Sequence, residues 1–277
     1  MRAVFSLMLD TLREAAARRW FFAFAVVLTL LILALVLGLR MDVVDGALAA
    51  TRLFGNDVSH DVRSADVALR SVFEAATYAV FYGGLCFGVL ACSDFGPELL
   101  SPGRIEHLLS LPIRRVELLL GTFLGVMALC LLGIAYGAGG FFLVLCAKAQ
   151  LWTLRPLLGA SLAMVAFFAV YACMLSCAVF VQSASLCAAA GGLCLLAGVV
   201  AGQREALAAL LEPGFGRQAL LVVLAPLPRV SELGEAAASI AIGGAAPESL
   251  WRLVTGTLLF GLSVLAVGAW RLRDKDF

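Results

Sequence analysis

Charged residues are scarce in this 277-residue sequence. Asp, Glu, Lys and Arg make up 14% of it and hydrophobic residues 62%, whereas about a quarter of the residues of a typical soluble domain are charged. The formal net charge is only +1, so the sequence lacks the basic excess of nucleic-acid-binding proteins. The composition therefore predicts an integral membrane protein with no nucleic-acid partner.

The residues and motifs of common catalytic sites are also missing. The two histidines, His60 and His107, lie outside the apolar runs, which excludes a bis-histidine haem inside a membrane. The sequence has no HExxH motif, no GxSxG elbow and no GxxxxGK[ST] phosphate-binding loop. We predict no catalytic site and no cofactor in this chain, so any ATP would be bound by a separate protein.

An acidic residue inside an apolar run is a candidate functional residue. Glu74, three residues into the second run, is the one plausible case. It also lies close enough to the end of the run to reach water, so both interpretations stay open.

The polar segments contain no cysteine, which excludes a disulfide framework in the loops. A soft metal such as Cu(I) could use Cys173 and Cys177, one helical turn apart. Because there is no CxxC motif, we instead interpret the cysteines as small apolar packing residues and predict no metal site. The eight cysteines are Cys86, Cys92, Cys130, Cys146, Cys173, Cys177, Cys187 and Cys194.

Six apolar runs approach or exceed the roughly 20 residues that cross a membrane as a helix. The four tryptophans lie at or just beyond the ends of these runs, as an aromatic belt predicts. The only break between the fourth and fifth runs is Gln182–Ser185. The predicted spans are Trp20–Leu39, Ser71–Ala91, Leu118–Cys146, Pro156–Val181, Ala184–Ala201 and Trp251–Trp270.

Small residues recur at helical spacing within these runs. Gly84–Gly88, Gly121–Gly125 and Gly133–Gly137 are GxxxG pairs, and such pairs allow helices to approach closely. Together they favour a compact bundle with tight helix contacts.

Residues 1–19 have the pattern of an amphipathic helix. Val4, Phe5, Met8 and Leu12 share one face, which predicts a helix lying in the membrane interface before the first span. The arginines beside the first and last spans indicate that both chain ends are cytoplasmic.

Two longer segments, 40–70 and 202–250, are then extracytoplasmic loops. The first is polar and of mixed charge, and we expect a solvated cap without strands. The second contains two short apolar pieces, Ala206–Leu211 and Ala219–Ala225, which we interpret as re-entrant or surface-lying helices packed on the bundle. The predicted fold is a single all-α membrane domain over residues 1–277, with six transmembrane helices.

The segment 93–117 joins the second and third spans on the cytoplasmic side. Ser101 is a suitable N-cap and Pro102 a suitable first helical residue, so we predict a helix over Pro102–Ser110. Ile105 would lie on its apolar side, and Arg104 and His107 largely on the opposite side. Pro112 would end this helix, and Arg114 with Arg115 would anchor the start of span three.

The run from Ser101 to Gly121 resembles the signature of type-2 ABC transporter permeases. That signature reads Gly-Thr-Ile-Glu-x-Leu-Leu-Ser-x-Pro-Ile-Ser-Arg, followed by apolar residues and Gly-Lys. Arg104 and Thr122 depart from it, and the acidic pair before the glycine survives as Asp94 and Glu98 at altered spacing. The matching residues are Gly103, Ile105, Glu106, Leu108, Leu109, Ser110, Pro112, Ile113, Arg115 and Gly121.

The resemblance implies a permease subunit in the inner membrane of a bacterium. It would pair with a second copy or a homologue and dock on a separate cytoplasmic ABC ATPase, which binds ATP and Mg. A periplasmic partner is a further expectation, and the substrate would be exported. A transport cavity lined only by apolar, Gly, Ser and Cys residues of the spans would suit a lipid-like or amphipathic substrate, or none at all. The residues expected to couple the permease to the ATPase are Glu98, Ser101, Pro102, Gly103, Arg104, Ile105, Glu106, His107, Leu109, Ser110, Pro112, Arg114 and Arg115.

Two alternatives stay open. The chain could be an ATPase-coupled subunit that transmits force without passing a substrate, as in metalloenzyme maturation or motility. It could also be a carrier that works without ATP, although such carriers are expected to show polar residues in mid-span and inverted repeats.

Overall fold

The computed structural model describes the backbone of residues 2–44, 47–53, 56–59, 63–110, 113–149, 154–210, 214–244 and 247–274. Side chains are described within these ranges except at residues 2, 19, 20, 23, 24, 35, 38–69, 71, 72, 107, 109 and 149.

Helices make up most of the described chain, which confirms the predicted helical class. A π-helical turn, Ile134–Ala138, joins the sixth helix to the seventh. The helices are α1 (Arg2–Ala17), α2 (Arg19–Gly38), α3 (Ala65–Ala91), α4 (Phe95–Leu99), α5 (Arg104–Ser110), α6 (Arg115–Gly133), α7 (Gly139–Ala149), α8 (Arg155–Val181), α9 (Ala184–Gly202), α10 (Arg204–Ala209), α11 (Phe215–Leu224), α12 (Val230–Ala241) and α13 (Leu250–Arg273).

Five helical stretches are long and apolar enough to cross a membrane, by length and composition. They correspond to predicted spans two to six, and the predicted break near Gln182 is confirmed as the gap between α8 and α9. These stretches are Phe73–Leu99, Arg115–Lys148, Arg155–Val181, Ala184–Gly202 and Leu250–Arg273.

The predicted first span falls on α2, a helix of 20 residues. Its apolar stretch among the described residues, Ala25–Ala34, is shorter than a membrane crossing, so a sixth crossing stays a prediction. α2 lies along the π-helical turn, where the hydroxyl groups of Thr29 and Tyr136 are 2.6 Å apart and form a hydrogen bond.

The segment after α2 forms strands, contrary to the expectation of a cap without them. These are β1 (Leu39–Val44), β2 (Ala47–Leu53), β3 (Asn56–Ser59) and β4 (Arg63–Ser64). β2 pairs antiparallel with each of the other three. The sequence carries the signal, because apolar and polar residues alternate from Leu39 to Val43, which is the period of a strand.

The core of the bundle surrounds α8. This helix packs against α3, α9, α12 and α13, and its Phe167 and Tyr171 rings stack with centroids 5.8 Å apart. Phe123 of α6 also stacks on Tyr171, with ring centroids 5.7 Å apart. All three rings are buried, so this aromatic stack fixes α6 relative to α8.

The glycine pair Gly121–Gly125 provides a groove for α1. A Cβ atom at Gly121 would lie 2.6 Å from Cβ of Leu7, and one at Gly125 equally close to Cβ of Thr11. Leu7, Thr11 and Ala15 are buried there, whereas Phe5, predicted on the apolar face, is exposed. α1 is therefore docked on the bundle, and the predicted close approach at this GxxxG pair involves α1 rather than another span.

The other two predicted glycine pairs do not act as pairs. A Cβ at Gly88 would clash with Phe167, and one at Gly137 would lie close to Leu28, while Gly84 and Gly133 face open space. Each of these GxxxG motifs thus contributes one glycine to a contact.

In the segment 202–250, the packed helix is one that the sequence analysis did not predict. α11 has no buried residue, although the apolar piece Ala219–Ala225 was expected to pack on the bundle. α12 buries most of its length against α3, α8 and α9. A Cβ at Gly159 of α8 would lie 2.4 Å from the carbonyl oxygen of Ala237, so glycine is required for this approach.

Candidate functional site

Helix α4 fixes the segment 93–117 against α8. A turn at residues 92–94 leads from α3 into α4, and the Phe95 ring is buried. Gly96 lies against α8 so closely that a Cβ atom there would be 2.7 Å from the Ala178 methyl carbon. Because real Cβ atoms do not approach so closely, glycine allows α4 to sit directly on α8.

The turn between α4 and α5 differs from the predicted helix start. Ser101 was expected to cap the helix, but its hydroxyl donates a hydrogen bond to the carbonyl oxygen of Glu98 at 2.8 Å. Gly103 has a φ of +83°, in the left-handed region that glycine adopts most readily. α5 therefore begins at Arg104 rather than at Pro102, because the left-handed residue interrupts the helical backbone.

Arg18, the residue between α1 and α2, holds α4 through its guanidinium group. The group bonds to the Glu98 carboxylate, lies 3.5 Å from the Asp94 carboxylate and bonds to Glu14 at 2.7 Å. Its central carbon lies 4.4 Å from the centroid of the Phe95 ring. One arginine therefore joins α1 to α4, since a guanidinium has five donors arranged as a fork.

Arg104 makes the second connection, from α5 to α1. One of its nitrogens lies 2.7 Å from the Glu14 carboxylate and 3.8 Å from that of Asp10, and the other lies 3.8 Å from Glu98. Arg104 was predicted on the polar side of the helix, but it points toward α1, where its opposite charges lie. We call these six side chains the ion network: Asp10, Glu14, Arg18, Asp94, Glu98 and Arg104.

The ion network controls the protonation of Glu14. Partial burial favours the neutral carboxyl group, but hydrogen bonds from Arg104 and Arg18 outweigh it, so the pKa of Glu14 lies below its usual value of 4.5. The hydrogen bond to Glu14 likewise raises the pKa of Arg104. Glu14 is thus held as a carboxylate between two cations.

One side of α5 and of the turn before it is exposed. Pro102, Gly103, Glu106 and Ser110 are exposed, whereas Ile105 is 3% exposed and belongs to the main core. The predicted inward position of Ile105 is therefore confirmed. We call the four exposed residues the α5 surface.

Three predicted site residues cannot be added to this geometry. His107 and Leu109 lie within α5, but their side chains lie outside the described residues, as does all of Pro112.

Arg115 connects the start of α6 to the end of α13. Its guanidinium donates hydrogen bonds to the carbonyl oxygens of Leu272 and Arg273, both at 3.2 Å. The backbone N–H of Arg114 donates to the Glu117 carboxylate at 3.0 Å, which satisfies a donor at the helix start. The ends of α3 and α13 and the start of α6 therefore lie at one end of the bundle.

Four members of the ion network, Asp10, Glu14, Arg18 and Asp94, were not among the predicted site residues. Asp10, Glu14 and Arg18 recur every four residues, so the sequence places Asp10 and Glu14 on one side of α1 and Arg18 just beyond its end. The partners that Arg18 and Glu14 bond on α4 and α5, however, are 80 and 90 residues away in the chain, and residue spacing predicts nothing over such a separation.

The described residues contain no group of three or more His, Cys, Asp or Glu side chains able to hold a metal ion. Cys173, considered with Cys177 for a soft metal, instead has its Sγ atom 3.4 Å from Sγ of Cys194 in α9. This pairing joins α8 to α9 within the bundle.

Comparison with models of known protein families gives no match, and comparison with characterised proteins gives no significant match either. The resemblance to type-2 ABC permeases therefore stays a prediction based on the residues 101–121.

Proposed function

We propose that this chain is the membrane-spanning subunit of an ATP-binding-cassette exporter. A separate cytoplasmic ATPase, which binds ATP and Mg, would dock on the α5 surface. Two such subunits, or one with a homologue, would form the transporter in the inner membrane of a bacterium. The apolar character of the spans supports a lipid-like or amphipathic substrate.

The observation that supports this proposal most is the contrast between the two sides of the segment 93–117. Its inner side is held by the ion network, by Phe95 and by Gly96, whereas the α5 surface is exposed. Force applied to that surface would be passed to α1, α3 and α8, because the segment is packed and ion-paired rather than a free loop. A coupling element needs this combination.

The positions of the helix ends support the six crossings that the proposal requires. Arg18 contacts Glu98 at the end of the bundle where α3 ends, and β1, which follows α2, packs against α7 toward the opposite end. α2 therefore runs between the same two ends as the joined helices α6 and α7. An even number of crossings puts both chain ends on the same side, and the arginines beside the first and last spans favour the cytoplasmic side.

The proposal is tested by reversing the charge of Glu106. The Glu106→Arg variant should fold normally, because this side chain is exposed. The amount of P-loop ATPase that co-purifies with it should be lower than with the wild type by about tenfold or more, as expected when a contact charge is reversed. The measurement is quantitative mass spectrometry of proteins that co-purify with the chain in mild detergent.

The matched control is Glu248→Arg, which reverses another exposed glutamate in the turn before α13. It should leave the amount of ATPase unchanged. The proposal is wrong if no P-loop ATPase co-purifies with the wild type, or if both variants retain it equally. Arg104 is unsuitable for this test, because its substitution would also break the ion network.

A second candidate function is force transmission without passage of a substrate. It is favoured by the aromatic stack of Phe123, Phe167 and Tyr171, which fills the region between α6 and α8. Reconstitution of the purified complex distinguishes the two functions. The exporter should move an amphipathic probe across the vesicle membrane during ATP hydrolysis, whereas a force-transmitting subunit would hydrolyse ATP without moving it.

A further inference from the structure

An open cavity of about 870 Å³ lies where α6 begins and α13 ends. Its volume falls within the range of about 300–1,000 Å³ typical of small-ligand sites. The lining residues are Ile113, Arg114, Arg115, Val116, Glu117 and Arg273. Both helices belong to stretches long and apolar enough to span a membrane, so the cavity lies at the level where two candidate spans end.

The cavity has an excess of positive charge. Of its three arginines, Arg115 is bonded to the carbonyl oxygens at the end of α13 and holds the two walls together. Arg114 and Arg273 are exposed, and no ion pair of either is seen within the described part of the chain. The single acid, Glu117, already accepts a hydrogen bond from the Arg114 backbone.

The start of α6 contributes the positive end of a helix dipole, and the negative end of α13 beside it is already bonded to Arg115. α6 continues through the π-helical turn into α7, so a helical stretch of 34 residues presents its amino-terminal end to the cavity. Such an end favours anions, and guanidinium groups bind phosphate oxygens through paired hydrogen bonds. Ile113 and Val116 supply apolar walls beside these groups.

We propose that this cavity binds the phosphate headgroup of an anionic phospholipid. Arg114 and Arg273 would bind the phosphate oxygens, and Ile113 and Val116 would contact the glycerol and the first acyl carbons. A lipid fits better than a soluble anion, because basic cavities between membrane helices at the membrane surface select anionic headgroups. A choline headgroup would bring its own cation beside the arginines and bind less well.

The test is native mass spectrometry of the purified chain in detergent, titrated with phosphatidylglycerol or with phosphatidylcholine. The wild type should retain phosphatidylglycerol at lower lipid concentration than phosphatidylcholine. Arg114→Gln and Arg273→Gln should each weaken phosphatidylglycerol binding about fivefold, because each removes one of the two arginines that would contact the phosphate.

Arg271→Gln is the control, because Arg271 is exposed in the last turn of α13 but does not line the cavity. The Arg271 variant should bind phosphatidylglycerol like the wild type. All three variants should have the melting temperature of the wild type. Equal binding of the two lipids would overturn the proposal, and so would an equal loss in the Arg271 variant. Displacement of phosphatidylglycerol by an equal concentration of inorganic phosphate would assign the cavity to a soluble anion instead.

This proposal is independent of the proposed transporter. The assay contains no ATPase, and the variants leave the α5 surface unchanged, so either proposal can fail without the other.

Discussion

At the scale of single residues, Glu14 is where the two cations of the ion network meet. Its carboxylate accepts hydrogen bonds from Arg18 and Arg104, both at 2.7 Å, and is only partly exposed. Glu14 thereby links α1 to α5 directly and to α4 through the shared arginines. Neutralising this one group weakens both connections.

We predict that the contribution of Glu14 to stability depends on acid pH. Its pKa is lower in the folded chain than its usual value of 4.5, because hydrogen bonds from the two arginines outweigh the effect of burial. The unfolded state therefore binds protons more readily, so the contribution is present above about pH 4.5 and is lost as the pH falls through the folded pKa. Melting temperatures of the wild type and Glu14→Gln, measured from pH 7 to pH 3, should converge toward acid pH.

The control for this series is Glu248→Gln, at an exposed glutamate outside the network. It should melt like the wild type at every pH. A constant difference between the wild type and Glu14→Gln down to pH 3 would contradict the role assigned to the carboxylate.

Tyr171 provides a second prediction at this scale. Its hydroxyl group is buried, and within the described residues it has no hydrogen-bond partner. A buried unpaired hydroxyl costs about 1–3 kcal/mol, so Tyr171→Phe should leave the free energy of unfolding unchanged or raise it. Tyr136→Phe should lower it by about 0.5–1.5 kcal/mol, since that hydroxyl bonds to Thr29. Chemical denaturation in detergent measures both, and a clear loss in Tyr171→Phe would reveal a partner for its hydroxyl.

At the scale of elements, the glycines of this chain explain which helices approach each other. Gly121 and Gly125 make room for α1, Gly96 brings α4 onto α8, and Gly159 brings α8 onto α12. In each case one of the two helices in contact is a short or amphipathic helix outside the predicted spans. These four glycines thus attach the smaller helices to the bundle.

We predict that Gly159→Ala detaches α12. The new Cβ atom would lie 2.4 Å from the carbonyl oxygen of Ala237, which is backbone and cannot rotate away. The melting temperature should fall by several degrees, in line with about 1–3 kcal/mol for an overpacked core. Hydrogen exchange in residues 230–241 should become faster.

Gly192→Ala is the matched control for this substitution, because a Cβ at Gly192 meets nothing within 4 Å. It should melt at the same temperature as the wild type or higher, since alanine favours helix more than glycine. Equal effects of the two substitutions would mean that α12 does not pack on Gly159.

The elements show how far sequence reasoning reaches in this chain. Long apolar runs and the polar break at Gln182 predict the spans, because both are local properties of the chain. α12 was not predicted, because its 12 residues are too short for a span and the face that it buries consists largely of small residues. The ion network was missed for a different reason, since its pairs form between α1 and a distant segment. The segment that carries the α5 surface was predicted only in part. Its helix was expected, but the inward position of Arg104 was not.

At the scale of the whole molecule, α6 and α7 form the longest element. The 34 residues from Arg115 to Lys148 extend over about 50 Å at 1.5 Å per residue, against about 30 Å for the membrane core. α1 packs on the early part of this stretch and α2 on its later part. The stretch therefore connects the end of the bundle that holds the ion network with the opposite end.

The arrangement predicts that both chain ends lie on one side of the membrane. A single cysteine that replaces Ser6 or Asp274, in a chain otherwise free of cysteine, should react with a membrane-impermeant maleimide only when the reagent reaches the cytoplasmic face. A cysteine at Glu248 should react only from the other face. These three positions are exposed, so their reactivity reports sidedness. Labelling of positions 6 and 274 from opposite faces would exclude six crossings.

The pairing of Arg18 with Glu98 also has a consequence for synthesis. The two residues are 80 positions apart, so at about 5–20 residues per second the ribosome makes Glu98 roughly 4–16 s after Arg18. During that interval α1 has neither its glycine groove nor its ionic partners. The first helix made is thus among the later ones to dock, and a slow stretch of translation between these positions would lengthen the time for which its apolar face stays uncovered.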